Sequence, residues 1–194
     1  MLSNTEKKTS KVIVISSPSG GGKTSIVKEI LKKFPEIVFS VSATTRPKRK
    51  NEIEGVDYFF ITEKEFLEKI DKEEFIEWER FYDYYYGTPK ELVNKTLQNN
   101  KSILLELDVK GALSVKKLYP DSITIFIDVP SFDELVKRLK SRKTESEEDL
   151  KKRIERAEME LSYKNQFDFV FVNNELNQVT NEVKNLIKKL LNKE

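Results

Sequence analysis

The run Val12–Ser16 followed by Ser17-Pro18-Ser19-Gly20-Gly21-Gly22-Lys23-Thr24 constrains this chain more than any other stretch. A short β-branched segment leads into a glycine-rich turn that ends in a lysine and a hydroxyl. An amphipathic helix follows, with Ile26, Val27, Ile30, Leu31 and Phe34 on one face and Pro35 as its stop. Strand, loop and helix in that order are the setting that a phosphate-gripping loop requires. Glycines let backbone N–H groups converge on phosphate oxygens without Cβ clashes, and the helix N-terminus adds the positive end of its dipole. In such a loop Lys23 reaches the β- and γ-phosphates of a nucleoside triphosphate, and the Thr24 hydroxyl ligates Mg²⁺. The opening position, glycine in the common pattern, is Ser17.

Four more apolar runs resemble the first: Val38–Val41, Ile103–Leu107, Ile123–Ile127 and Phe169–Val172. Continuous apolar runs suit strands buried on both faces, as in a parallel sheet. Helical signals lie between them. Ser131 with Glu134 forms a capping box ahead of Leu135 and Leu139, and Leu176, Val179, Val183, Ile187 and Leu190 line a final amphipathic helix. The alternation predicts an α/β domain with helices on both faces of one sheet. Two segments break it, at about 42–96 and 138–165, and read as lobes inserted at the sheet edge. The first contains a strand at Tyr58–Ile61, a helix capped by Thr62 and Glu65, a tyrosine cluster at 82–86 and a helix start at Thr88-Pro89-Lys90-Glu91. The second reads as one charged helix, capped by Ser146 and Asp149, with Leu150, Ile154, Ala157 and Leu161 on its inner face.

Composition narrows the chemistry. The 194 residues fit one compact domain from about residue 11, and residues 1–10 read as a disordered start. Thirty-five basic residues nearly cancel 33 acidic ones, leaving +2, so charge balance gives no reason to expect a nucleic-acid partner. No run approaches membrane-spanning length, and no membrane partner is expected. With no cysteine, disulfides and thiolate metal sites are excluded, and a cytoplasmic location is permitted and expected. With no histidine, acid–base chemistry must rest on carboxylates, cations, hydroxyls or a bound metal.

Several spaced motifs then occur in one order. They are Phe39-Ser-Val-Ser42-Ala-Thr-Thr-Arg46-Pro-Lys-Arg49, Gly55-Val-Asp-Tyr58-Phe-Phe, Glu74-Phe-Ile-Glu77-Trp78, Tyr85-Tyr86-Gly87-Thr88, Glu106-Leu-Asp108-Val-Lys-Gly111 and Arg138-Leu-Lys-Ser-Arg142-Lys-Thr-Glu. With the phosphate loop, this series strongly resembles the guanylate kinases across nearly the whole chain. The resemblance implies a three-layer P-loop NTPase fold: a five-stranded parallel core (11–41, 97–137, 166–194), a GMP-binding lobe (42–96) and a lid (138–165). It implies Mg²⁺-dependent transfer of the γ-phosphoryl group of ATP to GMP, or to dGMP, by a monomer or homodimer.

Residue roles follow from the resemblance and from chemistry together. Planar guanidinium groups suit a dianionic phosphate, so Arg46 and Arg49 are expected on the GMP phosphate, with the hydroxyls of Tyr58 and Tyr86. Guanine presents two donors on one edge, and a carboxylate at Glu77 accepts both. Adenine lacks that pair, and a site built on such bonds discriminates by about 10⁴-fold or more. Ser42 and Thr88 are expected to add hydroxyl contacts to the base. Glu106 and Asp108 lie two apart near a strand end and share a face, where open α/β sheets bind ligands. Asp108 is expected beside the guanine and the metal. Glu106, where many relatives carry aspartate, is expected to reach the magnesium water shell or Lys23.

Arg138, Arg142 and Arg153 resemble the family's lid arginines, which the resemblance implies act on the ATP phosphates; phosphoryl transfer needs alignment and positive charge more than covalent help. Arg156, one turn from Arg153, reads as surface. Asn173, after the last strand, resembles a family residue near the adenine pocket. Two rival readings remain at this level. Scaffold proteins reuse this fold to bind phosphopeptides, but their phosphate loops are usually damaged, whereas Lys23 and Thr24 are intact here. A kinase acting on another acceptor, such as a phosphorylated sugar, is disfavoured by Glu77, Ser42 and Thr88.

Overall fold

A computed structural model describes residues 10–81, 83–141 and 147–191. In chain order the elements are β1 Val12–Ser16, α1 Lys23–Lys33, β2 Val38–Phe39, β3 Ala43–Thr44, β4 Phe59–Phe60, α2 Glu63–Asp71, β5 Phe75–Phe81 and β6 Tyr84–Pro89. They continue with α3 Lys90–Gln98, β7 Ile103–Glu106, α4 Val109–Leu118, β8 Ile123–Asp128, α5 Phe132–Ser141, α6 Glu147–Ser162, β9 Phe169–Val172 and α7 Leu176–Leu190. No helix among the described residues is long and apolar enough to cross a membrane.

The five apolar runs form one parallel sheet in the order β2-β7-β1-β8-β9. Strand alternation sorts β1 between two cores. Ile13 and Ile15 point to one face, where Ile26, Val27 and Ile30 of α1 and Val179, Val183 and Ile187 of α7 cover them. Val12 and Val14 point to the other, under Val93 of α3 and Val109, Ala112 and Val115 of α4. Each of these layers excludes water from side chains whose full burial stabilises the fold by about 1.5–3 kcal/mol apiece. The three-layer core expected from the sequence is therefore present, with one correction. β9 is not buried on both faces: it is an edge strand paired only with β8, and Phe169, Val170 and Val172 are exposed.

The first inserted segment carries its own sheet, β4-β3-β6-β5, around Ala43, Phe66 and Phe75. The Phe66 ring stacks on Phe75 at 4.4 Å and on Tyr85 at 5.3 Å. Thr62 and Glu65 cap α2 reciprocally, as expected. Thr88 does not cap α3, a second correction. β6 runs on through Pro89, which takes the N-cap position, and the Thr88 side chain is turned elsewhere. The antiparallel β5–β6 ribbon itself was not expected, because Glu77, Glu79 and Arg80 interrupt the apolar pattern.

The second segment holds the expected helix, α6, after the last residues of α5. Leu135 and Leu139 of α5 pack with Ala157 of α6, and Leu150, Ile154 and Leu161 add partly buried contacts. Ser131 caps α5 by accepting from the Glu134 amide at 3.2 Å. The expected cap at Ser146, like Arg142, lies outside the described residues.

Candidate active site

The phosphate loop leaves β1 at the sheet's carboxyl edge and enters α1 through Gly22. That residue has φ +91° and a Cβ there would meet the Asn173 Nδ2 at 2.7 Å, so only glycine fits on both counts. No side chain caps α1, and its first turn carries no acid. The opening amides and the dipole are thus left to an outside anion, in contrast to the capped α2. Ser17, at the position usually held by glycine, is buried and packs against Gly21. The Gly21 amide closes a turn onto the Pro18 carbonyl at 2.9 Å.

Asn173 is 5% exposed and braces this loop. Its Nδ2 donates to the Gly21 carbonyl at 2.8 Å, and its own carbonyl accepts from Arg138 Nη2 at 3.0 Å. Arg138 also donates to Glu134 at 3.0 Å, so both groups shape the back of the loop. Arg153 reaches it from α6, with Nη2 donating to the Ser19 hydroxyl at 3.1 Å.

Lys23 Nζ donates to the Leu107 carbonyl at 2.7 Å, and the Thr24 hydroxyl donates to Glu106 Oε1 at 2.5 Å. A hydroxyl and a carboxylate side by side form a hard oxygen set that suits Mg²⁺. Among the described residues no group of three or more Asp or Glu side chains is placed to hold a metal ion. Asp108 is turned differently. It caps α4, with Oδ1 accepting from the Gly111 amide at 2.7 Å and Oδ2 from Arg156 at 2.7 Å. The metal role expected for Asp108 therefore finds less support than that of Thr24 and Glu106.

Across the cleft, Glu77 Oε1 accepts from the Thr88 hydroxyl at 2.5 Å, and Thr88 is fully buried. Burial pushes the Glu77 carboxyl up to about 7, against the Thr88 bond, with the Asp108 charge adding to the rise. Its other oxygen lies against Gly111, where a Cβ would stand 2.7 Å from Oε2. A carboxylate desolvated in this way is what a base edge with paired donors would hold in its charged form.

Arg46 is held by Glu52 through two bonds, Nη1 to Oε2 at 3.0 Å and Nη2 to Oε1 at 2.7 Å. Glu52 also accepts from the Arg49 amide at 2.8 Å, which folds the loop, while the Arg49 side chain is exposed. The Arg46 guanidinium lies 5.6 Å from the Tyr58 ring centre, and Tyr58 meets Tyr86 edge to face at 6.0 Å. Burial, and then the Glu106 charge, push the Tyr58 hydroxyl up to about 12, so it stays a donor. Ser42 is half-buried at the start of β3, where its carbonyl accepts from the Phe59 amide at 2.9 Å.

The two halves lie within electrostatic reach of each other. The Lys23 charge is felt at Glu77 and Asp108, and that of Glu106 at Tyr58. A sequence-family model described as guanylate kinase matches residues 9–190. The chain belongs to the guanylate kinase family. A guanylate kinase of Thermotoga maritima is 44% identical over 178 residues, covering 92% of this chain and 86% of that relative. One from Prochlorococcus marinus (strain SARG) is 46% identical over 177 residues, covering 91% and 96%. Among solved structures, the guanylate kinase of Anaplasma phagocytophilum superposes with a TM-score of 0.77 at 29% identity, covering 94% of this chain and 87% of that one.

Within this guanylate kinase fold, sequence reasoning missed five groups that shape the site: Glu52, Glu79, Gly111, Arg156 and Glu160. Glu52 had a faint signal, a carboxylate three residues after Arg49. Arg156 is a correction. It is not a surface residue but lies between α6, α4 and β5, paired with Glu79, Asp108 and Glu160. Burial and the neighbouring Asp108 push the Glu79 carboxyl up. Burial acts in the same direction on Asp108, but hydrogen bonding from Glu79 and Gly111 and the Arg156 and Lys23 charges outweigh it and hold Asp108 low.

Proposed function

We propose that this protein transfers the γ-phosphoryl group of ATP to GMP, giving ADP and GDP. The observation that carries the reading is the desolvated Glu77–Thr88 pair facing an uncapped phosphate loop across one cleft. The acceptor half names guanine, and the loop grips the donor. Residues 42–96 serve as the GMP lobe and 138–165 as the lid.

In this reading GMP lies with its base edge on Glu77 and its phosphate at Arg46 and Arg49, with donation from Tyr58 and Tyr86. Ser42, Thr88 and Asp108 complete the base pocket. ATP phosphates take the opening amides of α1 and the 17–24 loop, and Lys23 turns from the Leu107 carbonyl to the β- and γ-phosphates. Thr24, with Glu106 through water, would hold Mg²⁺, which supplies charge neutralisation between the phosphates. The acceptor is already an anion, so its oxygen attacks the γ-phosphorus in line without a protein base. Lys23, Arg153, Arg142 and Arg138 offset the charge that develops on the transferring group.

A coupled ADP-release assay with GMP, AMP, CMP and UMP tests this directly. Turnover is expected with GMP and, at most weakly, with the others. Equal use of AMP would refute the role of Glu77. Phosphopeptide binding without turnover would refute the enzyme.

A further inference from the structure

Arg156 occupies a place that phosphate binding does not explain. Its Nη2 donates to Glu79 Oε2 at 2.8 Å and to Asp108 Oδ2 at 2.7 Å, and its Nε donates to Glu160 Oε1 at 2.9 Å. The guanidinium carbon lies 4.0 Å from the centre of the Phe81 ring. Three carboxylates on three elements, β5, the α4 cap and α6, thus converge on one planar cation. The fork geometry of arginine serves three directions at once, which a lysine ammonium on a flexible stem does not reproduce.

Both ends of this network touch a substrate half. Asp108 continues through its bond to the Gly111 amide to the glycine surface on which the Glu77 carboxylate rests. Glu160 is 3% exposed, and its second oxygen accepts from the Ser19 amide of the phosphate loop at 2.8 Å. A carboxylate on that amide occupies a donor of the kind that the loop offers to phosphate. A phosphate arriving at the loop competes with Glu160, and any shift of Glu160 is passed to Arg156 and from there to Asp108.

We propose that Arg156 is a positioning residue that couples the two substrate halves, holding Asp108 for the acceptor base while holding Glu160 on the donor loop. The proposal rests on the guanylate-kinase reading of the cleft. Coupling of this kind is a thermodynamic statement: a nucleotide on the loop must change GMP affinity by the same factor as GMP changes nucleotide affinity.

Titration calorimetry of the whole protein tests it, with GMP added in the absence and presence of saturating ADP and Mg²⁺. In the wild type the two GMP dissociation constants are expected to differ by about 5-fold or more, the usual lower bound for a coupled pair of sites. In Arg156→Lys and Arg156→Met the ratio is expected to fall to about one. Glu160→Gln, which cuts the chain one link further on and leaves Arg156 in place, is expected to do the same and serves if the arginine variants do not fold. A purely structural role would lower the melting temperature and leave the ratio as it is in the wild type. That outcome, or a wild-type ratio of one, overturns the proposal. Failure of the wild type to bind GMP at all would instead refute the reading of the acceptor site, so the two failures are separable.

Discussion

Gly111→Ala separates stability from recognition at a single position. Gly111 lies in the first turn of α4 with no positive φ, so a side chain strains no backbone there. Alanine in place of glycine within a helix is worth about 0.5–1 kcal/mol in favour of the fold. The new Cβ would stand 2.7 Å from Glu77 Oε2 and 3.2 Å from both the Glu77 Cδ and the Asp108 Oδ1. Relief requires the Glu77 carboxylate to retreat by about 0.7 Å to reach ordinary contact. A shift of that size stretches the bonds Glu77 would make to the guanine edge beyond useful length. Losing one charge-assisted bond of this kind costs about 1.5–3 kcal/mol, which is about 10–150-fold in kcat/KM for GMP. The expected result is a melting temperature equal to or above that of the wild type, an unchanged KM for ATP and a kcat/KM for GMP reduced by that factor. Coupled ADP release and thermal melting measure both. A folded variant whose GMP kinetics stay within twofold of the wild type would refute the placement of Glu77 against the base.

The raised Glu77 carboxyl sets a pH dependence. Because guanine needs the ionised form, kcat/KM for GMP is expected to fall as pH drops through about 7, whereas Glu77→Gln shows low but flatter activity across that range. Dividing one profile by the other cancels the GMP phosphate, which itself titrates near about 6. For stability the sign is opposite: the folded state holds the Glu77 proton up to a higher pH, so this group's contribution falls as pH rises from the ordinary carboxylate range through about 7. If Lys23 serves the donor half as proposed, Lys23→Ala lowers kcat by at least about 10³-fold while GMP binding by calorimetry stays within about threefold. Glu52→Ala removes the partner that orients Arg46, and KM for GMP is expected to rise about 10-fold with melting little changed; an unaltered KM would show that Arg46 needs no such support.

Local chemistry made much of this protein legible from its residues. The phosphate loop could be read because strand, glycines, lysine and hydroxyl are contiguous, and the contacts that define it are local. The five core strands and the faces of α1, α6 and α7 followed from periodicity, which burial imposes directly on residue order. Glu77 could be singled out because guanine's donor pair demands a carboxylate, and the motif carrying it resembles the family. The β5–β6 ribbon could not, since its apolar residues alternate with charges whose partners, Thr88 for Glu77 and Arg156 for Glu79, are remote along the chain. Thr88 illustrates the same limit: its sequence neighbours spell a helix cap, but a buried carboxylate 11 residues away takes its hydroxyl at 2.5 Å.

Residue order thus determined the parallel core, the donor loop and the kinds of side chain available to the acceptor. The tertiary structure decided what those side chains do to one another. Arg156 looks like any exposed arginine on a charged helix until the fold brings Glu79, Asp108 and Glu160 around it from positions 77, 48 and 4 residues away. Gly111 looks like a helix-weakening residue until Glu77 is laid against it. Both depend on distances between groups remote along the chain. Burial then amplifies those distances into charge and hydrogen-bond energies, because a desolvated carboxylate must be answered by whatever the fold places beside it.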